Sequence, residues 1–284
     1  MSLVTAGDLV AAASARGTAV AAVNVITLEH GEAIVAAAVQ AGRSLVLQLS
    51  ENAIAYHGGP GAITRAVHAL AEEAPVALAL HLDHLTDPDL VTAAVSGPLR
   101  PLLGSLMYDA GALPYAENVA RTRDVATAAH THGLWVEAEL GFVGGKAEAP
   151  RSAHAHGVRT DPEQAAEFVG ATGVDALAVA VGSSHAMTEQ TAHLDHPLIE
   201  RLAERVPVPL VLHGSSGVPD EDLRRAVTAG IRKVNVGTAL NVALTSSLRA
   251  TLAADPSVTD PRRYLAPART AMRDAVLHLL DLMG

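Results

Sequence analysis

Eight short apolar runs, each followed by a polar turn or a stretch of helical periodicity, constrain this chain more than any other feature. They fall at 19–25, 44–49, 76–80, 103–107, 134–138, 176–181, 209–212 and 233–236. Runs this short, mostly apolar and bounded by turn residues, predict strands buried on both faces, as in a parallel sheet covered by helices. Helical spacing of apolar residues appears over 28–41, 61–73, 115–132, 161–171, 197–205, 219–229 and 239–254, and the tail 267–282 reads as a terminal helix. Thr160-Asp161-Pro162-Glu163 and Val218-Pro219-Asp220-Glu221 are helix starts, and Gly133, Gly173 and Gly230 are stops. A doubly wound sheet more often has about five to seven strands, whereas eight βα units in about 250 residues match a TIM (β/α)8 barrel. The predicted fold is therefore α/β, with 1–284 forming one barrel domain and its C-terminal helix, because no linker or low-complexity stretch divides the chain.

Composition removes several function classes. The chain is 49% hydrophobic, yet no apolar stretch reaches the roughly 18 residues needed to cross a bilayer. Met1-Ser2-Leu3-Val4-Thr5 lacks the basic segment and apolar core of a signal peptide, so a soluble, cytoplasmic protein without a membrane partner is expected. The net charge of −10 and the lack of a basic stripe argue against nucleic acid as a partner. With no cysteine, disulfides and thiolate metal sites are excluded, and any zinc must be held by His, Asp or Glu.

Barrel enzymes carry their chemistry at the C-terminal ends of the strands. In chain order these ends offer Asn24, Ser50, Asp83 with His84, Asp109, Glu139, His185, His213 with Gly214 and Ser216, and Asn235 with Thr238. Three histidines and three carboxylates converging on one mouth predict a metal site, and His84, His185 and His213 are assigned as zinc ligands that leave a coordination position open. In the tetrad His81-Leu82-Asp83-His84, strand alternation puts Asp83 on the face of His81 and turns His84 away unless the strand is already bending. After the last two strands, His213-Gly214-Ser215-Ser216-Gly217 and Asn235-Val236-Gly237-Thr238 offer small residues whose N–H groups suit a phosphate. The similar tetrad His193-Leu194-Asp195-His196 precedes Pro197, and there Asp195 is expected to cap a helix rather than serve a metal. Residues 141–157, with Gly144-Gly145 and paired histidines, lack periodicity and read as an active-site loop.

Taken together, His81-Leu82-Asp83-His84, Val136-Glu137-Ala138-Glu139-Leu140-Gly141, Thr160-Asp161-Pro162-Glu163, Leu212-His213-Gly214-Ser215-Ser216-Gly217-Val218-Pro219, Lys233-Val234-Asn235-Val236-Gly237-Thr238 and Asp260-Pro261-Arg262-Arg263 carry a resemblance over nearly the whole chain. The sequence resembles the class II, metal-dependent ketose-bisphosphate aldolases, the family of fructose-bisphosphate and tagatose-bisphosphate aldolase. The resemblance implies cleavage or formation of a ketose phosphate through a zinc-stabilised dihydroxyacetone-phosphate enediolate, with Asp83 as the acid/base at the C4 hydroxyl. It implies that Gly214, Ser216, Asn235, Gly237 and Thr238 hold the dihydroxyacetone-phosphate half. Asn24, Ser50 and Arg262 would lie near the far phosphate, and Asp109 and Glu139 would be alternative metal ligands or supports behind the ligands. A monovalent cation near the phosphate, and a homodimer or homotetramer, are further implications. The resemblance also places the protein in carbohydrate metabolism, as in glycolysis.

The chain departs from the family pattern at three points. His185 is followed by Ala186-Met187-Thr188, where glycine and then a lysine or tyrosine are usual. Asp109-Ala110-Gly111 lacks a hydroxyl, and Lys146-Ala147 occupies the loop positions of an acidic pair, which leaves Glu148 as the proton shuttle to C3. Two other readings remain, an aldolase with a different aldehyde partner and a non-catalytic barrel subunit of an aldolase complex. A Schiff-base mechanism needs a lysine at the mouth, and the only lysines are Lys146, in the loop, and Lys233, near the start of the last strand.

Overall fold

The computed structural model describes residues 3–141 and 159–284. The eight strands are β1 (Val20–Asn24), β2 (Leu45–Ser50), β3 (Leu78–Leu85), β4 (Ser105–Tyr108), β5 (Trp135–Leu140), β6 (Ala176–Val179), β7 (Leu210–Leu212) and β8 (Ile231–Val236). They pair in chain order, each pair parallel, and β8 returns to β1 to close the TIM barrel. The helices are α1 (Ala6–Ala15), α2 (Leu28–Ala41), α3 (Glu51–Tyr56), α4 (Gly61–Glu73), α5 (Pro88–Val95), α6 (Tyr115–Thr131), α7 (Pro162–Thr172), α8 (His196–Arg205), α9 (Asp220–Ala229), α10 (Thr238–Ala254) and α11 (Pro261–Leu282).

Periodicity does not reveal α1, α3 or α5, which are short and set by their caps. Thr5 and Asp8 form a reciprocal capping box on α1, Ser50 caps α3, and Asp87 caps α5 ahead of Pro88. The last helix begins at Pro261 rather than 267, because Asp260 accepts from the Arg262 N–H at 3.0 Å. Pro267 lies inside it, and the helix continues because Ala268, Met272, Val276 and Leu280 are buried where α11 packs on α2 and α10.

Alternation along each strand divides the core in two. Outward residues such as Leu45, Leu47, Leu80, Leu82, Val136 and Val234 meet the helices in one continuous apolar layer. At the bottom the inward residues are apolar, and Val20, Ala22, Val46 and Ala79 rest on Ala6, Leu9, Val10 and Ala13 of α1, which plugs the barrel, while Met107, Ala176, Ala178 and Val211 form a second small apolar cluster. Gly7 makes this plug fit, since a Cβ there would stand 2.6 Å from the Trp135 ring. Higher in the lumen the inward positions turn polar: Gln48, His81, Asp83, Ser105, Glu137, Glu139, His213, Lys233 and Asn235 are all buried.

Two irregularities aim side chains at the mouth. On β3, Leu82 pairs with Leu106 but Leu85 pairs with Tyr108, so one extra residue is inserted between them, and His84 takes a left-handed φ of 53°. The strand thus carries the whole tetrad, and Asp83 and His84 both reach the cavity. On β8, Leu210 pairs with Ile231 and Val211 with Lys233, leaving Arg232 as the extra residue. Ile231 consequently joins the outer apolar layer, while Lys233 and Asn235 lie buried among the polar residues of the lumen.

Candidate active site

A cavity of about 500 Å³ opens at the C-terminal ends of the strands and is lined by Asn24, Gln48, Ser50, Asp83, His84 and Asp109 on one side. His185, His213, Gly214, Ser216, Asn235, Gly237 and Thr238 line the other. Every strand-end residue expected at the mouth is therefore in or beside this cavity. Glu139 is buried next to it. Arg262 is not there: its side chain is 89% exposed and forks onto Asp260, because capping of α11 holds that segment on the surface. Glu148, Lys146, His154 and His156 lie outside the described residues.

His84, Glu139, His185 and His213 each offer a donor atom, and these atoms lie within 4.8 Å of one another. The imidazoles stand edge to face, with centroids 4.8 Å apart for His84 and His213, 5.3 Å for His84 and His185, and 5.7 Å for His185 and His213. Carboxylates fix two of the tautomers. A carboxylate only accepts, so His84 Nδ1–H donates to Asp109 Oδ2 at 2.8 Å and His213 Nε2–H donates to Glu137 Oε1 at 2.9 Å. The remaining nitrogens, His84 Nε2 and His213 Nδ1, then face each other as lone pairs 3.0 Å apart, with Glu139 Oε2 3.8 Å from the latter. Two lone pairs and a carboxylate oxygen in this arrangement repel unless a cation lies between them, so the donor set fits a divalent ion such as zinc. Asp109 belongs behind His84 rather than in the donor set, whereas Glu139 is within it.

Asp83 is 3% exposed and is held by two amides, accepting from Asn235 Nδ2 at 3.3 Å and from Gln48 Nε2 at 3.5 Å. The Gln48 amide also donates to Asn24 Oδ1 at 2.5 Å. His81, below Asp83, bonds Ser105 Oγ through Nδ1 at 2.9 Å. Burial, reinforced by the nearby Lys233 ammonium, pushes its pKa well below the ordinary histidine value, so it stays neutral.

Opposite lies a wall of small residues from the loops after β7 and β8. Gly214 has a φ of 67°, and a Cβ there would stand 2.6 Å from the Ser184 carbonyl, so the turn after β7 closes only with glycine. A short 3-10 helix, Ser215–Gly217, follows, and Ser216 Oγ accepts from Ala239 N at 3.1 Å. Gly237 precedes α10, whose first turn carries no acidic residue, and Gly237 and Thr238 both line the cavity.

The strand-end reading missed Glu137, Gln48 and the reach of Lys233. All three stand two residues before or after an assigned residue on the same strand face, and that alternation is the signal that could have found them. Lys233 sits below the mouth, fully buried, with Nζ 2.8 Å from Glu137 Oε2 and 2.7 Å from Asn235 Oδ1. The second tetrad behaves as a helix start, with Asp195 Oδ1 accepting from Leu198 N at 3.0 Å. At Ala186 the backbone has a φ of 60°, a left-handed conformation that favours glycine over a residue with a Cβ.

A sequence profile described as "Fructose-bisphosphate aldolase class-II" matches residues 4–284. The fructose-bisphosphate aldolase of Thermus caldophilus is 38% identical over 305 aligned residues, covering 99% of this chain and 98% of the relative. The D-tagatose-1,6-bisphosphate aldolase subunit GatY of Klebsiella oxytoca is 35% identical, covering 100% of this chain and 98% of the relative. Among solved structures, the YdjI aldolase of Escherichia coli K12 superposes with a TM-score of 0.82 at 28% identity, covering 99% of this chain and 97% of that one. With a whole-length profile match and relatives of this identity, the chain belongs to the class II fructose-bisphosphate aldolase family and is a carbon–carbon lyase.

Proposed function

We propose that the enzyme reversibly cleaves fructose 1,6-bisphosphate or tagatose 1,6-bisphosphate between C3 and C4, using zinc held by His84 Nε2, His213 Nδ1 and His185 with Glu139 in reserve. The observation that carries this reading is the convergence of these donors beside the amide-held carboxylate of Asp83. The bound ion supplies positive charge opposite the substrate oxygen that becomes negative when the carbon–carbon bond breaks. Asp83 takes the proton of the C4 hydroxyl, the C4 carbonyl forms, and the electron pair of the broken bond passes to the dihydroxyacetone-phosphate half. Gly214, Ser216, Gly237 and Thr238 cradle the phosphate of that half, Asn235 orients it, and Asn24 and Ser50 face the far phosphate. Glu148 returns a proton to C3.

Lys233 is unsuited to a Schiff base, since its ammonium is buried and engaged by Glu137 and Asn235. The reading further includes a monovalent cation beside the cradle, a cytoplasmic setting in sugar breakdown such as glycolysis, and assembly as a homodimer or homotetramer. No helix of the described residues is long and apolar enough to cross a membrane.

Cleavage of both bisphosphates is measured on protein as purified, after extensive chelation, and after zinc is restored. Activity that disappears and returns with zinc is expected; full activity in metal-free protein, or borohydride trapping of substrate on a lysine, would refute it. Asp83→Ala should keep its zinc and lose at least about 10²-fold in rate.

A further inference from the structure

Lys233 is a buried charge that the reaction described above does not use. Its side chain runs from β8 to Glu137 on β5, with Nζ 2.8 Å from Oε2. Taking two charges out of water costs several kcal/mol per ion, and a well-packed apolar pair often serves a fold equally well. A need for stability alone therefore does not explain this pair.

The connections of the ammonium do. A lysine only donates, so Asn235 must present Oδ1 to it, at 2.7 Å, and the amide is thereby turned with Nδ2 between Asp83 Oδ1, at 3.3 Å, and His213 Nε2, at 3.0 Å. Without that donor the two ends of the amide are nearly equal in shape, and the flipped form would set a carbonyl oxygen against the Asp83 carboxylate. On its other side the ammonium holds Glu137 Oε2 at 2.8 Å, which leaves Oε1 aimed at His213 Nε2–H at 2.9 Å and keeps His213 Nδ1 for the metal. We infer that Lys233 is a positioning residue whose one ammonium orients both the metal-holding nitrogen of His213, through Glu137, and the proton-transfer carboxylate of Asp83, through Asn235. The inference rests on the zinc aldolase reading given above.

The test compares the unmodified enzyme with Lys233→Met and with Lys233→Met/Glu137→Met, in which no buried carboxylate is left unpaired. Zinc affinity is read by chelator competition, thermal stability by unfolding, and kcat and KM at saturating zinc. Lys233→Met should weaken zinc binding about 10- to 100-fold and, with zinc saturating, lower kcat by about tenfold or more while KM changes little. The double variant should regain thermal stability without regaining zinc affinity or kcat, and it answers the question even where the single variant fails to fold. Recovery of zinc affinity and kcat together with stability in the double variant would show that the pair serves only the fold and would overturn the inference. So would a folded Lys233→Met enzyme with unaltered zinc affinity and kcat. An unmodified enzyme that neither binds zinc nor cleaves a ketose bisphosphate would defeat the underlying reading instead, and it is measured first.

Discussion

Replacing Gly214 by alanine should damage stability and turnover together. The residue holds a φ of 67°, and its added Cβ would stand 2.6 Å from both the carbonyl carbon and oxygen of Ser184 and 2.9 Å from the Ser184 nitrogen. The left-handed conformation costs about 1–2 kcal/mol for a residue with a Cβ. Backbone cannot step aside as a flexible side chain does, so relief of the overlap costs about 1–3 kcal/mol more. For a chain of this size each kcal/mol lowers Tm by about 2 °C, so a fall of about 4–10 °C is expected. The segment that must move carries His185, one of the four converging donors, and also lines the cavity. A displacement of about 1 Å at a reacting centre is worth up to about 10²-fold in rate, so kcat/KM for a ketose bisphosphate should fall at least about tenfold. Thermal unfolding and steady-state cleavage, both with zinc saturating, measure the two effects. A Gly214→Ala enzyme with parental Tm and parental kcat/KM would refute the reasoning that this turn is closed against Ser184.

At Ala186, whose φ is 60°, substitution by glycine should raise stability by about 1 kcal/mol, read as a shift in the urea midpoint at constant slope; an unchanged or lowered midpoint counts against strain there. Removing the Asp109 carboxylate with alanine should weaken zinc binding about 10- to 100-fold, because His84 loses the acceptor that fixes its tautomer; titration with a competing chelator decides, and parental affinity speaks against that support. His81 stays neutral when folded but binds a proton below about pH 6.5 when unfolded, so its contribution is present above about pH 6.5 and fades as pH falls. His81→Gln should therefore lose less stability between about pH 7.5 and 5.5 than the parent does, and an identical loss would show that His81 does not carry this dependence.

Much of the barrel was legible because both-face burial leaves an unambiguous mark. The spans 28–41 and 61–73 match α2 and α4 residue for residue, since their apolar spacing meets clear boundaries. The helix α1 was hidden because its Ala-rich sequence has little contrast between faces, and only the position beneath the lumen makes Leu9 and Val10 core residues. β3 runs on to Leu85, beyond the apolar run 76–80, since a strand end that carries His81, Asp83 and His84 looks like a loop until its inserted residue is seen. The site was readable as chemistry because histidines and carboxylates are rare at strand ends without a purpose. Its support was not: Glu137 and Lys233 look like ordinary strand charges, and the unmatched Arg232 that turns Lys233 inward has no sequence signature. Arg262 shows the converse, a residue whose motif points to the substrate while Asp260 holds it on the surface of this chain.

Crystals of the zinc-loaded enzyme, with data collected across the zinc absorption edge, test the proposed metal centre most directly. One anomalous peak should appear at the mouth of the barrel, about 2.0–2.1 Å from His84 Nε2, His213 Nδ1 and a nitrogen of His185. A peak elsewhere in an enzyme that cleaves ketose bisphosphates, or coordination through His84 Nδ1 or His213 Nε2 instead, would contradict the tautomers that Asp109 and Glu137 impose.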